Sequence, residues 1–162
     1  MVKTPKAVVK SDFDYLVKNS INEKYAKQLK KQFKTRNSRF QVSWSLGLND
    51  ETVLELDGET NFGERGVLIK IKKDVAKSKF TCWRRAVVCH ELGHALHFFE
   101  TNGQIWEGEE HGEEWKNLMI SAVKDGLLKD CAKELESPKE MCIFKENKEK
   151  CQLCDPNSKI NG

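Results

Sequence analysis

The chain has 162 residues, 33% of them charged and 38% hydrophobic, with a formal net charge of +3. That length fits one domain of ordinary size with a real core, plus a small appendage. No apolar run follows the initial methionine and none approaches membrane-spanning length, so the expectation is a soluble, intracellular protein (cytoplasmic or nuclear) with no secretory signal and no membrane partner. Six cysteines in such a compartment are read as reduced or metal-bound rather than disulfide-paired.

The first predicted element is a helix from Ser11, a plausible cap, to about Phe33. Phe13, Val17, Ile21, Tyr25, Leu29 and Phe33 recur every four residues with Leu16 beside them, a core-facing stripe. Next, Phe40, Val42, Trp44 and Leu46 alternate with Arg39, Gln41, Ser43 and Ser45, the period of a half-buried strand. Thr52 to Leu56 is a weaker strand signal, glycine-rich Asp57 to Gly66 reads as a turn or loop, and Val67 to Ile71 as a further strand. That last strand is either an edge able to receive an extended peptide or a buried interior strand.

All four histidines fall between positions 90 and 111. The first two lie in His90-Glu91-Leu92-Gly93-His94, an H-E-x-x-H pattern. Residues four apart on a helix project about 40° apart and about 6 Å along the axis, so His90 and His94 can grip one metal ion. Glu91 can reach a water on that ion without ligating it. Thr81 can cap this helix, and Val88, Leu92, Ala95 and Phe99 fall on the opposite face, giving an apolar back and a histidine front. Glycine in a helix interior costs roughly 1 kcal/mol relative to alanine, so Gly93 on the front suggests a close approach.

His97 shares the face by angle but sits about 10 Å along the axis from His90, which assigns it to packing or to support of the ligands. His111 is the third-ligand candidate. It follows a loop with Gly103 and Gly108 and precedes an amphipathic segment in which Trp115, Leu118, Met119 and Ala122 share a face. Three histidines with a fourth position for water suit a catalytic Zn2+. Helix, strands, metal helix, loop and helix in that order make an α+β domain with a small sheet backing the H-E-x-x-H helix.

His90-Glu91-Leu92-Gly93-His94-Ala95-Leu96, Phe98, Thr101-Asn102, Gly108 and His111-Gly112 followed by Trp115 resemble the core of the SprT-like (Spartan) metalloproteases, over roughly residues 80 to 120. The resemblance implies a zincin-like metalloprotease fold in which His90, His94 and His111 ligate zinc and Glu91 is the general base. For Spartan itself it implies DNA-stimulated cleavage of proteins crosslinked to DNA. On this reading residues 1–130 form the protease domain and residues 131–162 a cysteine-containing tail.

In that tail Cys151-Gln152-Leu153-Cys154 is a C-x-x-C pair, and Cys131 and Cys142 could complete a four-cysteine structural zinc site; the alternative is a set of unmetallated thiols. The tail resembles a reduced form of the family's small zinc-binding subdomain, with one C-x-x-C pair where two are usual, and that weakens the inference to DNA. Residues 1 to 40 hold eleven Lys or Arg against three acids, either a phosphate-tracking surface or the wetted face of a helix. Glu107, Glu109, Glu110, Glu113 and Glu114 crowd the third ligand and would repel DNA there. Three functions stay open at this level: a zinc endopeptidase acting on DNA-associated or DNA-crosslinked proteins, a DNA-binding or interaction module with a structural metal, and a peptidase for one dedicated regulator, independent of DNA. A carboxylate beside the first histidine favours an enzyme, since a purely structural site has no use for it.

Overall fold

The computed structural model describes residues 2–35, 37–43, 57–64, 66–79, 81–106 and 110–124. Within them the chain is a mixed α+β assembly of helices and a three-stranded sheet. The expected strand residues Trp44, Leu46 and Thr52 to Leu56, the boundary at residue 130, and Cys131, Cys142, Cys151 and Cys154 lie outside the described residues.

The single long helix expected over Ser11–Phe33 is two helices, α1 (Pro5–Asn19) and α2 (Glu23–Lys34). Helix α1 begins six residues earlier than Ser11 because Thr4 caps it, accepting a hydrogen bond from the Ala7 amide at 3.2 Å, and Pro5 needs no amide partner in the first turn. The break has a tertiary cause. Ile21 forms an antiparallel bridge with Val123, the Asn22 amide donates to the Ala122 carbonyl at 2.8 Å, and the Lys124 amide donates to the Ser20 carbonyl at 2.9 Å. Those backbone groups bond across the molecule instead of along a helix, and Ile21 stays buried through that contact.

The sheet order is β1 (Arg39–Ser43), β3 (Val67–Lys72), β2 (Gly58–Phe62), with β1 parallel and β2 antiparallel to β3. Two expectations are corrected here. The segment placed in a 57–66 loop contains strand β2, paired from Gly58↔Ile71 to Phe62↔Val67. The Val67–Ile71 strand is interior, flanked on both sides, so of its two readings the edge fails; among the described residues β2 has one neighbour and forms an edge. In β3, Val67, Ile69 and Ile71 are buried and alternate with half-buried Leu68, Lys70 and Lys72, as a strand with one core face requires.

A short helix, α3 (Lys73–Ala76), leads to α4 (Thr81–Glu100), the central element. Its expected apolar back is in place: Val88, Leu92 and Ala95 are fully buried and Phe99 packs at the core margin. Burying each such valine or leucine contributes about 1.5–3 kcal/mol, enough to fix which face of α4 points outward. Helix α5 (Glu113–Ala122) packs on α4, with Trp115 and Met119 against Gly93. At the end of α4, Asn102 (φ 52°) and Gly103 (φ 79°) adopt left-handed backbone that turns the chain, with the Gly103 amide donating to the Phe98 carbonyl at 2.9 Å. Among the described residues no helix is long and apolar enough to cross a membrane.

Candidate metal centre

Helix α4 carries His90 and His94 on one face, one turn apart, and His111 reaches them from just before α5. The three Nε2 atoms converge: His90 to His94 is 3.1 Å, His111 to His90 is 2.9 Å and His111 to His94 is 2.9 Å. Among the described residues these three form a group able to hold a metal ion. The triangle suits a small cation. Points about 3 Å apart lie about 1.7 Å from their common centre, within the usual Zn–N length of about 2.0–2.1 Å, so the three nitrogens could all reach one such ion. Neutral imidazoles aimed at one point set lone pairs or N–H groups against one another, and a cation relieves that opposition.

The rings rest on Trp115, whose indole centroid is 5.2 Å from His90, 5.3 Å from His94 and 5.1 Å from His111. Trp115 is fully buried and comes from α5, which also carries the approach to His111, so α5 fixes both the floor and the third ring. Gly93 makes this possible. A Cβ there would overlap Met119 Sδ and stand 3.1 Å from Trp115 Nε1, the close approach expected from its sequence position.

Burial, then the neighbouring His90, His111 and His97, hold the His94 imidazole far below its ordinary 6.5, at about 2. It is therefore neutral at any physiological pH, the form that donates a lone pair. Glu91 lies on the adjacent flank of α4, 5% exposed, between the helix and β2. Thr60 Oγ1 donates to its Oε2 at 2.5 Å. Burial pushes the carboxyl from 4.5 to about 7; the Thr60 hydrogen bond opposes that rise and the nearby charge of Glu59 adds to it.

His97 is buried and separate from the three converging rings, with Nε2 3.7 Å from Glu114 Oε2, too long for a hydrogen bond. Its expected packing role fits that position. Of the acidic rim, Glu110, Glu113 and Glu114 are exposed, and Glu107 and Glu109 lie outside the described residues. Cys82 and Cys89 are buried and not disulfide-bonded. Sequence reasoning missed Thr60 and Gly58, which touch Glu91 from β2; a lone threonine in an apparent turn carries no signal of its own.

The geometry therefore defines an α+β domain with a candidate three-histidine metal centre. The SprT-like family model matches residues 21–133, and the chain belongs to the SprT-like family. Membership and the histidine cluster together point to a metalloprotease-like role. No curated protein and no solved structure matches the chain.

Proposed function

We propose that this protein is a zinc-dependent endopeptidase of zincin-like architecture, with His90, His94 and His111 as metal ligands and Glu91 as general base. The observation that carries the reading is a buried carboxylate one residue from the first of three converging imidazoles. A zinc ion held there would supply Lewis acidity, easing deprotonation of a water and polarising the scissile carbonyl. Glu91 accepts the water's proton on a carboxylate oxygen and later delivers it to the nitrogen of the departing amine. Trp115 keeps the ligand rings from tilting, and the apolar back of α4 holds the helix face at a fixed distance from the cleft.

The substrates proposed are polypeptides, and among them proteins associated with or crosslinked to DNA. The support for DNA is a row of exposed lysines on α2, Lys24, Lys30, Lys31 and Lys34, remote in sequence from the acidic residues near His111. The tail cysteines Cys131, Cys142, Cys151 and Cys154 are proposed as a second, structural zinc site. Glu91→Gln tests the central assignment: zinc stoichiometry at the histidines is expected to stay near one while cleavage falls by about a thousandfold or more. Cleavage at the wild-type rate rules out Glu91 as the base. Single-stranded DNA added across a salt series is expected to raise the cleavage rate at low salt, and no stimulation there favours a dedicated protein substrate without DNA.

A further inference from the structure

Gly58, Thr60 and Phe62 are alternate residues of β2 and share one face of the sheet, the face turned to α4. Thr60 Oγ1 lies 2.5 Å from Glu91 Oε2 and 3.3 Å from the Glu91 main-chain oxygen. A Cβ at Gly58 would stand 2.8 Å from Glu91 Oε1 and 2.9 Å from its Cγ. Phe62 stacks on Phe98 with centroids 4.8 Å apart, fixing the strand two turns further along the helix. The carboxylate thus occupies space that only glycine leaves open and meets a hydroxyl at the far side of it.

We propose that Thr60 is a positioning residue, holding the Glu91 carboxylate in one orientation between β2 and α4; this rests on the assignment of Glu91 as general base. A hydroxyl suits the task because it has one hydrogen and two acceptors within reach. While the carboxylate is ionised, the hydroxyl donates to Oε2. With Oε2 held in this way, Oε1 takes the proton of the attacking water, and Oε2, now the carbonyl oxygen of the acid, still accepts from Thr60 Oγ1. The contact persists through the change of charge, so the carboxyl keeps its place until Oε1 passes the proton to the leaving amine. Valine has the same shape and offers neither bond.

Two measurements on the full chain test this. With zinc bound, Thr60→Val is expected to lower kcat about 10- to 100-fold while KM and bound zinc stay within about twofold, and Thr60→Ser to return kcat to within about threefold of the wild type. In the metal-free chain, a double-mutant cycle of Thr60→Val with Glu91→Ala, followed by urea unfolding, is expected to show about tenfold coupling in the unfolding equilibrium constant. Coupling below about twofold overturns the contact. An undiminished kcat in Thr60→Val, or a loss that serine does not restore, overturns the positioning role. Clear coupling in a wild-type protein that cleaves nothing means that the peptidase assignment has failed, taking the positioning role with it but leaving the contact itself in place.

Discussion

Helix α4 carries two polar clusters about one and a half turns apart, and they are built in opposite ways. Near its start, Arg84 and Arg85 converge on Asp12 of α1, which is 1% exposed. There every charge meets its complement: Arg84 Nη2 donates to Asp12 Oδ1 at 3.0 Å, Arg84 Nη1 to the Ser78 carbonyl at 2.7 Å, Arg85 Nε to Asp12 Oδ1 at 3.1 Å, and the Arg85 guanidinium lies 3.6 Å over the Tyr15 ring. Further along, three imidazoles of like character converge on one another. The first cluster is complete within the protein and ties α1 to α4. The second gathers three donors of one kind around a single point, as a candidate cation site requires. The first pairs opposite charges in the interior and the second brings like donors together at a partly exposed point, and that difference is what separates a candidate site from a staple.

Breaking the staple should have the larger effect on folding. Asp12→Ala leaves two guanidinium groups short of a buried counter-charge and is expected to cost about 3–5 kcal/mol in urea unfolding, with zinc affinity of the folded protein within a few-fold of wild type. A parallel collapse of zinc affinity would show that the two clusters are one system. His111→Ala reverses the pattern: zinc affinity, measured against a chelating dye, is expected to fall about 100-fold or more, while metal-free stability changes by less than about 1 kcal/mol because the residue is exposed. His97→Ala sharpens the contrast on the same helix. Its ring is buried and is not one of the three converging donors, so about 1–3 kcal/mol of stability is expected to go with zinc affinity nearly unchanged. Exchange of those two outcomes would name the wrong third ligand.

What the sequence displays depends on how local each contact is. The α4 stripe is legible because its apolar back and histidine front repeat at the helical period, and Gly93 stands out as a costly residue in a helix interior. His111 needs more, since its place depends on a turn at Asn102–Gly103 and on the packing of Trp115 against α4. The break between α1 and α2 is hidden because the four-residue apolar spacing runs straight through Ile21, whose partner Val123 is distant in sequence. Strand β2 is hidden for a related reason. Gly58-Glu59-Thr60-Asn61-Phe62 has the composition of a turn, and it becomes a strand because β3 offers it an edge and Glu91 fills the space above Gly58. Asp12 and its arginines lie 72 and 73 residues apart, beyond any pattern local to either helix.

The smallest expected effect separates the two clusters by pH. The Glu91 carboxyl titrates at about 7 in the folded chain against an ordinary 4.5, with burial the main cause. A raised folded value means that the folded state holds the proton more tightly than the unfolded one. Stability from this group is therefore fully present below pH 4.5, declines as pH rises, and is lost above pH 7. Glu91→Gln removes that titration, and His94 is common to both proteins and cancels in their difference. Metal-free Glu91→Gln is accordingly expected to unfold at a higher urea concentration than wild type at pH 8, by no more than about 3 kcal/mol, with the gain shrinking toward pH 4.5. Zinc should abolish most of the difference, because a cation beside the carboxylate favours its ionised form. A gain that is flat with pH would mean that the Glu91 carboxylate is hydrated in solution, as ordinary surface acids are, and that β2 does not close over it.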